Sequence, residues 1–353
     1  KNKLIKNFSK PFIIAEIGAN HNGDLDLAKK MIISAKKAGA DAVKFQSWNK
    51  NSIFTKKLYK NKKPDFQLDN IKTQEQLIEK LTFSNQEYKK LAIFCKKNKI
   101  IFSSTPFDAL SARFLSKLKV PFFKVASMDL DNIPFLKYLA KYKKPMIIST
   151  GFGTLKEIAE AIDEVKSIDK NAQLTLLHCV SAYPPSDKNV NLNNLELLRK
   201  TFNLPVGFSD HTKGSTACLS AITLGAAVIE KHFTLDKNMI GWDHPISADY
   251  EDLKIIVNAH VQKINFDGKR AKSVNFYLDG RLITVKANKE ILLSAGSIGS
   301  PHILQVSGVG DGQKLKNLGI DVINELKGVG KNLQDHLMFR PVYKVKNLKS
   351  LNR

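Results

Sequence analysis

From residue 12 to 260 the chain alternates short β-rich runs with amphipathic helical patterns, and this rhythm restricts the fold more than any other feature. The β-rich runs are FIIAEI (12–17), AVKFQ (42–46), IIFSST (100–105), FFKVAS (122–127), PMIIST (145–150), LTLLHC (174–179), PVGFS (205–209) and AVIEKHF (227–233). Helical patterns fall between them at 25–40, 74–98, 135–142, 155–168, 194–200 and 215–226. Eight strand–helix units of this length predict a closed (β/α)8 TIM barrel, an α/β fold, with an open doubly wound sheet as the competing architecture.

Polar residues favour the barrel. Nearly every run ends in one: Glu16, Lys44, Thr105, Lys124 with Ser127, Ser149, His178, Ser209, and Glu230 with His232. In a barrel these ends converge on one mouth, whereas an open sheet spreads them along an edge too wide for one small ligand. Lys44 and Lys124 lie within apolar runs, where an uncompensated charge would be costly. Two lysines and several hydroxyls at one mouth suit a ligand carrying phosphate and carboxylate.

Two segments add a metal to this expectation. GFSDHT (207–212) and VIEKHFTLD (228–236) place His211 and His232 just past apolar runs, with Asp210 and Glu230 beside them. A strand-end histidine taken alone is more often a hydrogen-bonded structural residue than a ligand; two of them, with carboxylates nearby, point to a divalent ion. Asn20, His21 and Asn22 precede Gly23 in what could be an ordinary β-to-α turn and are read as adjacent to the site. His178 could serve either core or site.

The formal charge of +23 raises the question of nucleic acid. Only six of the 56 basic residues are Arg, the lysines are scattered over helical faces, and no recognition motif accompanies them, so no nucleic-acid partner is expected. No run is long and apolar enough to span a membrane, and none is expected as a partner. The chain begins at Lys1 without a charged-then-apolar leader, which reads as a fragment or processed form of a cytoplasmic protein. Cys95, Cys179 and Cys218 show no metal-finger spacing and read as reduced core thiols.

AEIGANHNGDLDLAKKMI, AGADAVKFQ, FSSTPFD, KVAS, ISTGFGT, LLHCVSAYP, GFSDHT, VIEKHFTLD and GWDHPISAD occur in this order over residues 10–260. Together they resemble the sialic acid synthase family, which includes the legionaminic and pseudaminic acid synthases. The resemblance implies condensation of phosphoenolpyruvate with an N-acetylmannosamine-type sugar, giving a nine-carbon 2-keto acid and phosphate. His211 and His232 match the family's ligands for manganese or magnesium. Lys44, Thr105, Lys124, Ser127, Ser149 and Ser209 match its phosphoenolpyruvate-binding positions, and Tyr183 a sugar-side aromatic. Glu16 matches the carboxylate near the reacting sugar and attacking water; Glu230 and Asp243 match carboxylates close to metal and sugar, and the base among the three stays open. Ser181 stands where sialic acid synthases proper commonly carry Asn, which leaves the acylated acceptor sugar open as well.

After residue 260 the character changes. Residues 263–296 read as a β-meander with Asp-Gly turns at 267–268 and 279–280, leading into an apolar strand. GSIGSPHILQVSGVG (296–310) and GIDVINELKGVGKNLQDHL behind it resemble the glucose-methanol-choline oxidoreductases, flavoproteins, over 261–340. The family's GxGxxG turn and C-terminal catalytic region have no counterpart here, so a bound FAD is not expected and His336 receives no catalytic role. This small incomplete α+β segment stands where the barrel family normally carries an antifreeze-like domain, which lends an arginine to the neighbouring subunit in a homodimer. The domain expectation is therefore a barrel over 1–260 and a flavoprotein-like fragment over 261–353, joined near Asn258-Ala259-His260. Three functions compete: a metal-dependent synthase, a flavin oxidoreductase fragment, and a chimera without activity.

Overall fold

The computed structural model describes residues 5–7, 9–258, 260–278, 281–293 and 295–333. Eight parallel strands carry the first unit: β1 (Phe12–Gly18), β2 (Ala42–Ser47), β3 (Ile101–Pro106), β4 (Phe123–Val125), β5 (Met146–Ser149), β6 (Leu174–Cys179), β7 (Val206–Asp210) and β8 (Val228–His232). Their hydrogen-bonded order is β3-β2-β1-β8-β7-β6-β5-β4. β1 thus pairs with both β2 and β8, so first and last strands are neighbours and the sheet curls round on itself. At the remaining seam β3 and β4 lie in contact, and Ser103 Oγ donates to the Phe122 carbonyl at 3.2 Å. This is a (β/α)8 barrel; the strand order of an open doubly wound sheet does not occur.

Alternation along each strand divides the wall into two faces. Phe12, Ile14, Ala42, Phe122, Ile147, Leu177 and Val228 form one buried apolar cluster inside the barrel. The intervening residues, among them Ile13, Ala15, Val43, Phe45, Ile148 and Ile229, pack outward against the helices in a larger second cluster. Each inner side chain fully withdrawn from water contributes roughly 1.5–3 kcal/mol, so the plug fixes the strand register as well as filling space. Two residues further along the same strands come Glu16, Lys44, Lys124, Ser149 and Glu230, which places them directly above the plug.

Most boundaries follow the sequence pattern closely. The fourth run is shorter than expected, because the chain turns into a 3-10 helix at Ser127–Asp129. The helical pattern at 74–98 is two helices, Gln74–Leu81 and Asn85–Lys97. Ser84 breaks it: its hydroxyl accepts from Glu87 N at 3.3 Å while Glu87 returns a carboxylate to Ser84 N at 2.7 Å, a reciprocal cap that starts a new helix. Helices at Lys50–Ile53, Lys56–Asn61, Ala109–Lys117 and Tyr250–Asn258 were not anticipated. Cys95, Cys179 and Cys218 are buried free thiols. Among the described residues no helix is long and apolar enough to cross a membrane.

The chain divides into two compact units, Lys1–His260 with Tyr277–Leu282, and Val261–Phe276 with Ile283–Arg353. Beyond the barrel, β9 (His260–Asp267), β10 (Arg270–Leu278) and β11 (Arg281–Lys286) form a three-stranded sheet in the order β11-β10-β9. Gly268 takes the left-handed conformation, φ 56°, in the first Asp-Gly turn; Asp279-Gly280, Ala259 and His336 lie outside the described residues. The apolar strand expected after the meander is irregular chain at 287–293 with Leu292 exposed, since no strand edge among the described residues pairs with it. The flavoprotein-like signature forms a helix, Gly296–Val306.

Candidate active site

The inward residues above the plug are joined by charge. Lys44 Nζ pairs with Glu16 Oε2 and donates to Thr105 Oγ1 at 2.8 Å; Glu230 Oε2 lies 3.7 Å away. Lys124 Nζ donates to Ser149 Oγ at 2.7 Å and to its neighbour's carbonyl, Val125 O, at 2.9 Å, and stands 3.6 Å from Glu230 Oε1. Ser209 Oγ donates to that same Glu230 oxygen at 2.9 Å. Glu230 therefore sits between two lysines, in the position an anion would take. Burial works against the Lys44 charge, but Glu16 and Glu230 outweigh it and hold its pKa above the lysine range. Burial prevails at Lys124 and lowers its pKa, with Glu230 opposing.

The remaining predicted positions lie at the rim. Ser127 opens the 3-10 helix after β4, its Oγ 3.1 Å from Cys179 Sγ and accepting from Gly151 N at 3.1 Å. A Cβ at Gly151 would meet Ser181 Oγ at 2.5 Å and Ser127 Oγ at 2.8 Å, so a side chain there would displace those hydroxyls. Tyr183 is largely exposed and packs its ring 4.2 Å from that of His211 and 6.3 Å from that of His232.

The two histidine rings are 5.6 Å apart. Burial, reinforced by His232, pushes His211 down to about 4; burial, reinforced by Lys44, pushes His232 down to about 3. Both imidazoles are consequently neutral at ordinary pH, the form that binds a metal. His211 Nδ1 lies 3.0 Å from the Val180 carbonyl, an arrangement that makes Nδ1 the donor and leaves Nε2 a lone pair. His232 Nδ1 is buried without a hydrogen bond, 3.6 Å from Asp243 Oδ2. Burial raises Asp243 to about 6, against the pull of His211. Among the described residues no three His, Cys, Asp or Glu side chains converge at ligand spacing. Two neutral imidazoles side by side, one with its Nε2 lone pair free, suit the donor chemistry of a divalent ion and not that of a closed structural site.

Asp210 belongs elsewhere. Its carboxylate takes Lys231 Nζ at 2.7 Å, Thr212 N at 2.8 Å and Cys218 Sγ at 3.1 Å, and Lys231 also reaches Thr212 O. Strand parity explains this: Lys231 is one step from the inward Glu230 and His232, so it emerges on the outer wall. His178 is likewise on the outer wall, bonded to Val190 O at 2.7 Å. His21 is buried, stacked on Phe83 at 4.0 Å, and accepts from Gly23 N.

Sequence reasoning missed Gln46, which donates to Glu16 Oε1 at 3.1 Å; its position two residues after Lys44 on β2 was the available signal. It also passed over Ser247, which connects Asn20 to Asp243.

The family models agree with this architecture. The NeuB family model matches residues 31–272, and that of GMC oxidoreductase matches residues 242–338. The chain is 45% identical over 271 residues to the N,N'-diacetyllegionaminic acid synthase of Campylobacter jejuni, covering 75% of this chain and 80% of that one. The synthase of the same name from Legionella pneumophila is 43% identical over 254 residues, 70% of each chain. Among solved structures, the sialic acid synthetase of Leptospira borgpetersenii superposes with a TM-score of 0.63 at 35% identity, covering 71% of this chain and 82% of that chain. Barrel, mouth residues and relatives lead to one assignment: the chain belongs to the NeuB family, and the relatives just named are sugar-acid synthases.

Proposed function

We propose that this chain condenses phosphoenolpyruvate with an N-acetylated amino sugar of the N-acetylmannosamine type, forming a nine-carbon 2-keto sugar acid and phosphate. One observation carries the substrate: two buried lysines, each bonded to a hydroxyl, converge from two strands on one mouth, where they face Glu230 as they would an anionic ligand. Lys44 and Lys124, with the hydroxyls of Thr105, Ser127, Ser149 and Ser209, would bind the phosphate and carboxylate and neutralise charge that develops as C3 of the enol attacks the sugar aldehyde. Glu16, raised by burial to about 7, is the carboxylate best matched to accept a proton from the water that attacks the enol's C2. Tyr183 and Asp243 at the rim would border the sugar. His211 and His232 would hold Mn2+ or Mg2+, which when bound supplies Lewis acidity toward a carbonyl oxygen.

Phosphate release from phosphoenolpyruvate, with and without N-acetylmannosamine or diacetamido sugars, manganese and chelator, tests this reading. Sugar-dependent release that chelator abolishes and His211→Ala loses is the expected result; release that ignores both sugar and metal would sink it.

We also infer a cytoplasmic enzyme, a homodimer, and a junction at Asn258-Ala259-His260 between a synthase barrel over 1–260 and a GMC-like fragment over 261–353. The two family matches overlap over 242–272, which brackets those residues. Limited proteolysis should leave a resistant core of about 260 residues. Purified protein should lack flavin absorbance; a yellow preparation would favour the oxidoreductase reading.

A further inference from the structure

The chain between β8 and Tyr250 is a closed loop. Phe233 and Ala248 form an isolated parallel bridge, with Thr234 N donating to Ala248 O at 2.9 Å and Ala248 N to His232 O at 2.7 Å. Residues 234–247 between these ends carry Asp243; two of their ties lead to the turn after β1, while Trp242 reaches Asp65 and Phe66, and Lys237 pairs with Asp249 and Asp252. Asn22 Nδ2 donates to Ile240 O at 2.9 Å. Asn20, only 2% exposed, uses both amide protons: one on Phe233 O at 3.0 Å, one on Ser247 Oγ at 2.9 Å. The Ser247 hydroxyl has one hydrogen, and it goes to Asp243 O at 2.7 Å. Directions along this relay are therefore fixed. A flipped Asn20 amide would set oxygen against the Phe233 carbonyl and lose both bonds.

We propose that Asn20 is a positioning residue that acts through Ser247 to hold the 234–247 loop, and with it the Asp243 carboxylate, beside His232. The proposal rests on the reading that Asp243 works at the mouth. The Asn-rich turn, apparently a plain β-to-α connection, is on this view a clamp on the last loop of the barrel. Inside the loop His244 Nδ1 lies 2.7 Å from Thr234 Oγ1. Thr234 already donates to Asp236 O at 2.9 Å, so His244 is the donor in that contact and ties the loop to itself, not to the barrel. Asn20 and Asn22 are the ties that fix it to the first strand's turn.

Hydrogen exchange on the full chain tests the clamp, with Asn20→Asp, which places two acceptors face to face, and Ser247→Ala, which removes the Asn20 and Asp243 links together and leaves the Asn20 bond to Phe233 O in place. Exchange over 238–246 should accelerate about tenfold or more in both, with barrel-strand amides unchanged. In the phosphate-release assay kcat should fall at least tenfold with KM for phosphoenolpyruvate within about twofold. Should Asn20→Asp fail to fold, Ser247→Ala decides alone. Unchanged exchange over 238–246 in Ser247→Ala, or equal loss of protection across the strands, overturns the proposal. Asp243→Asn separates the two ideas: wild-type turnover in that variant would refute the role given to Asp243, while an exchange result would still report on the clamp.

Discussion

Glu16 and Glu230 share one cation: Lys44 Nζ pairs with Glu16 Oε2 and lies 3.7 Å from Glu230 Oε2. Their carboxyls are nevertheless driven apart. Burial, backed by the Glu230 charge and only partly offset by Lys44, lifts Glu16 to about 7. At Glu230 burial acts in the same upward direction, but Lys124, Lys44 and the Ser209 hydroxyl outweigh it and hold the group near 2. Two carboxyls in one cup thus divide into one permanent anion and one that titrates near neutrality.

If Glu16 is the base, its ionised form is the active one, and kcat/KM should rise with pH through about 7. Glu230 on β8, Lys44 on β2 and Lys124 on β4 face it and set this value. Glu16→Gln should abolish the limb and lower turnover by about 10²–10⁴-fold. A wild-type profile flat from pH 5.5 to 8 would remove Glu16 from the role.

Lys124→Gln should weaken phosphoenolpyruvate binding by about tenfold or more, with a smaller effect on the sugar, because one of two charges facing the anion is lost. Titration calorimetry with phosphoenolpyruvate alone measures this. Affinity within twofold of wild type would place the anion elsewhere.

Burial also pushes His21 down to about 3, so the folded chain keeps it neutral while the unfolded chain protonates it near 6.5. The unfolded state binds the extra proton between those values, and stability must fall as pH drops from 6.5 toward 3. His21→Gln should reduce the stability difference between pH 7.5 and pH 5 by about 2 kcal/mol. Urea titrations at the two pH values decide it, and an undiminished difference would count against the burial argument.

Lys231→Met leaves the fully buried Asp210 carboxylate without its cation and should cost about 3–5 kcal/mol. Adding Asp210→Asn should recover a large part of that loss. If denaturant midpoints show the single variant within about 1 kcal/mol of wild type, solvent reaches a pair that the structure seals.

How much of this was legible from residues alone follows from what each signal depends on. The barrel was legible because eight runs alternate apolar and polar along one parity, and the same parity carried Glu16, Lys44, Lys124 and Glu230 to one mouth. Asp210 was misjudged for the same reason: adjacency in GFSDHT suggested a carboxylate beside His211, but one step along a strand changes the face, and its partner Lys231 emerges outside. The Ser84 break was masked because the apolar spacing on either side stays helical. The Asn20–Ser247–Asp243 relay joins residues 227 positions apart in sequence at its first step, and no local pattern encodes such a contact.

The apolar plug formed by Phe12, Ile14, Phe122, Leu177 and their neighbours seals the lower end of the barrel. A cup with a sealed floor has a single doorway, so arrivals and departures must queue. On the proposed reading, a ligand at Lys44 and Lys124 would lie deeper than one bordering Tyr183 or Asp243, and would have to enter ahead of it. Traffic order is thereby written into the strand parity that made the floor.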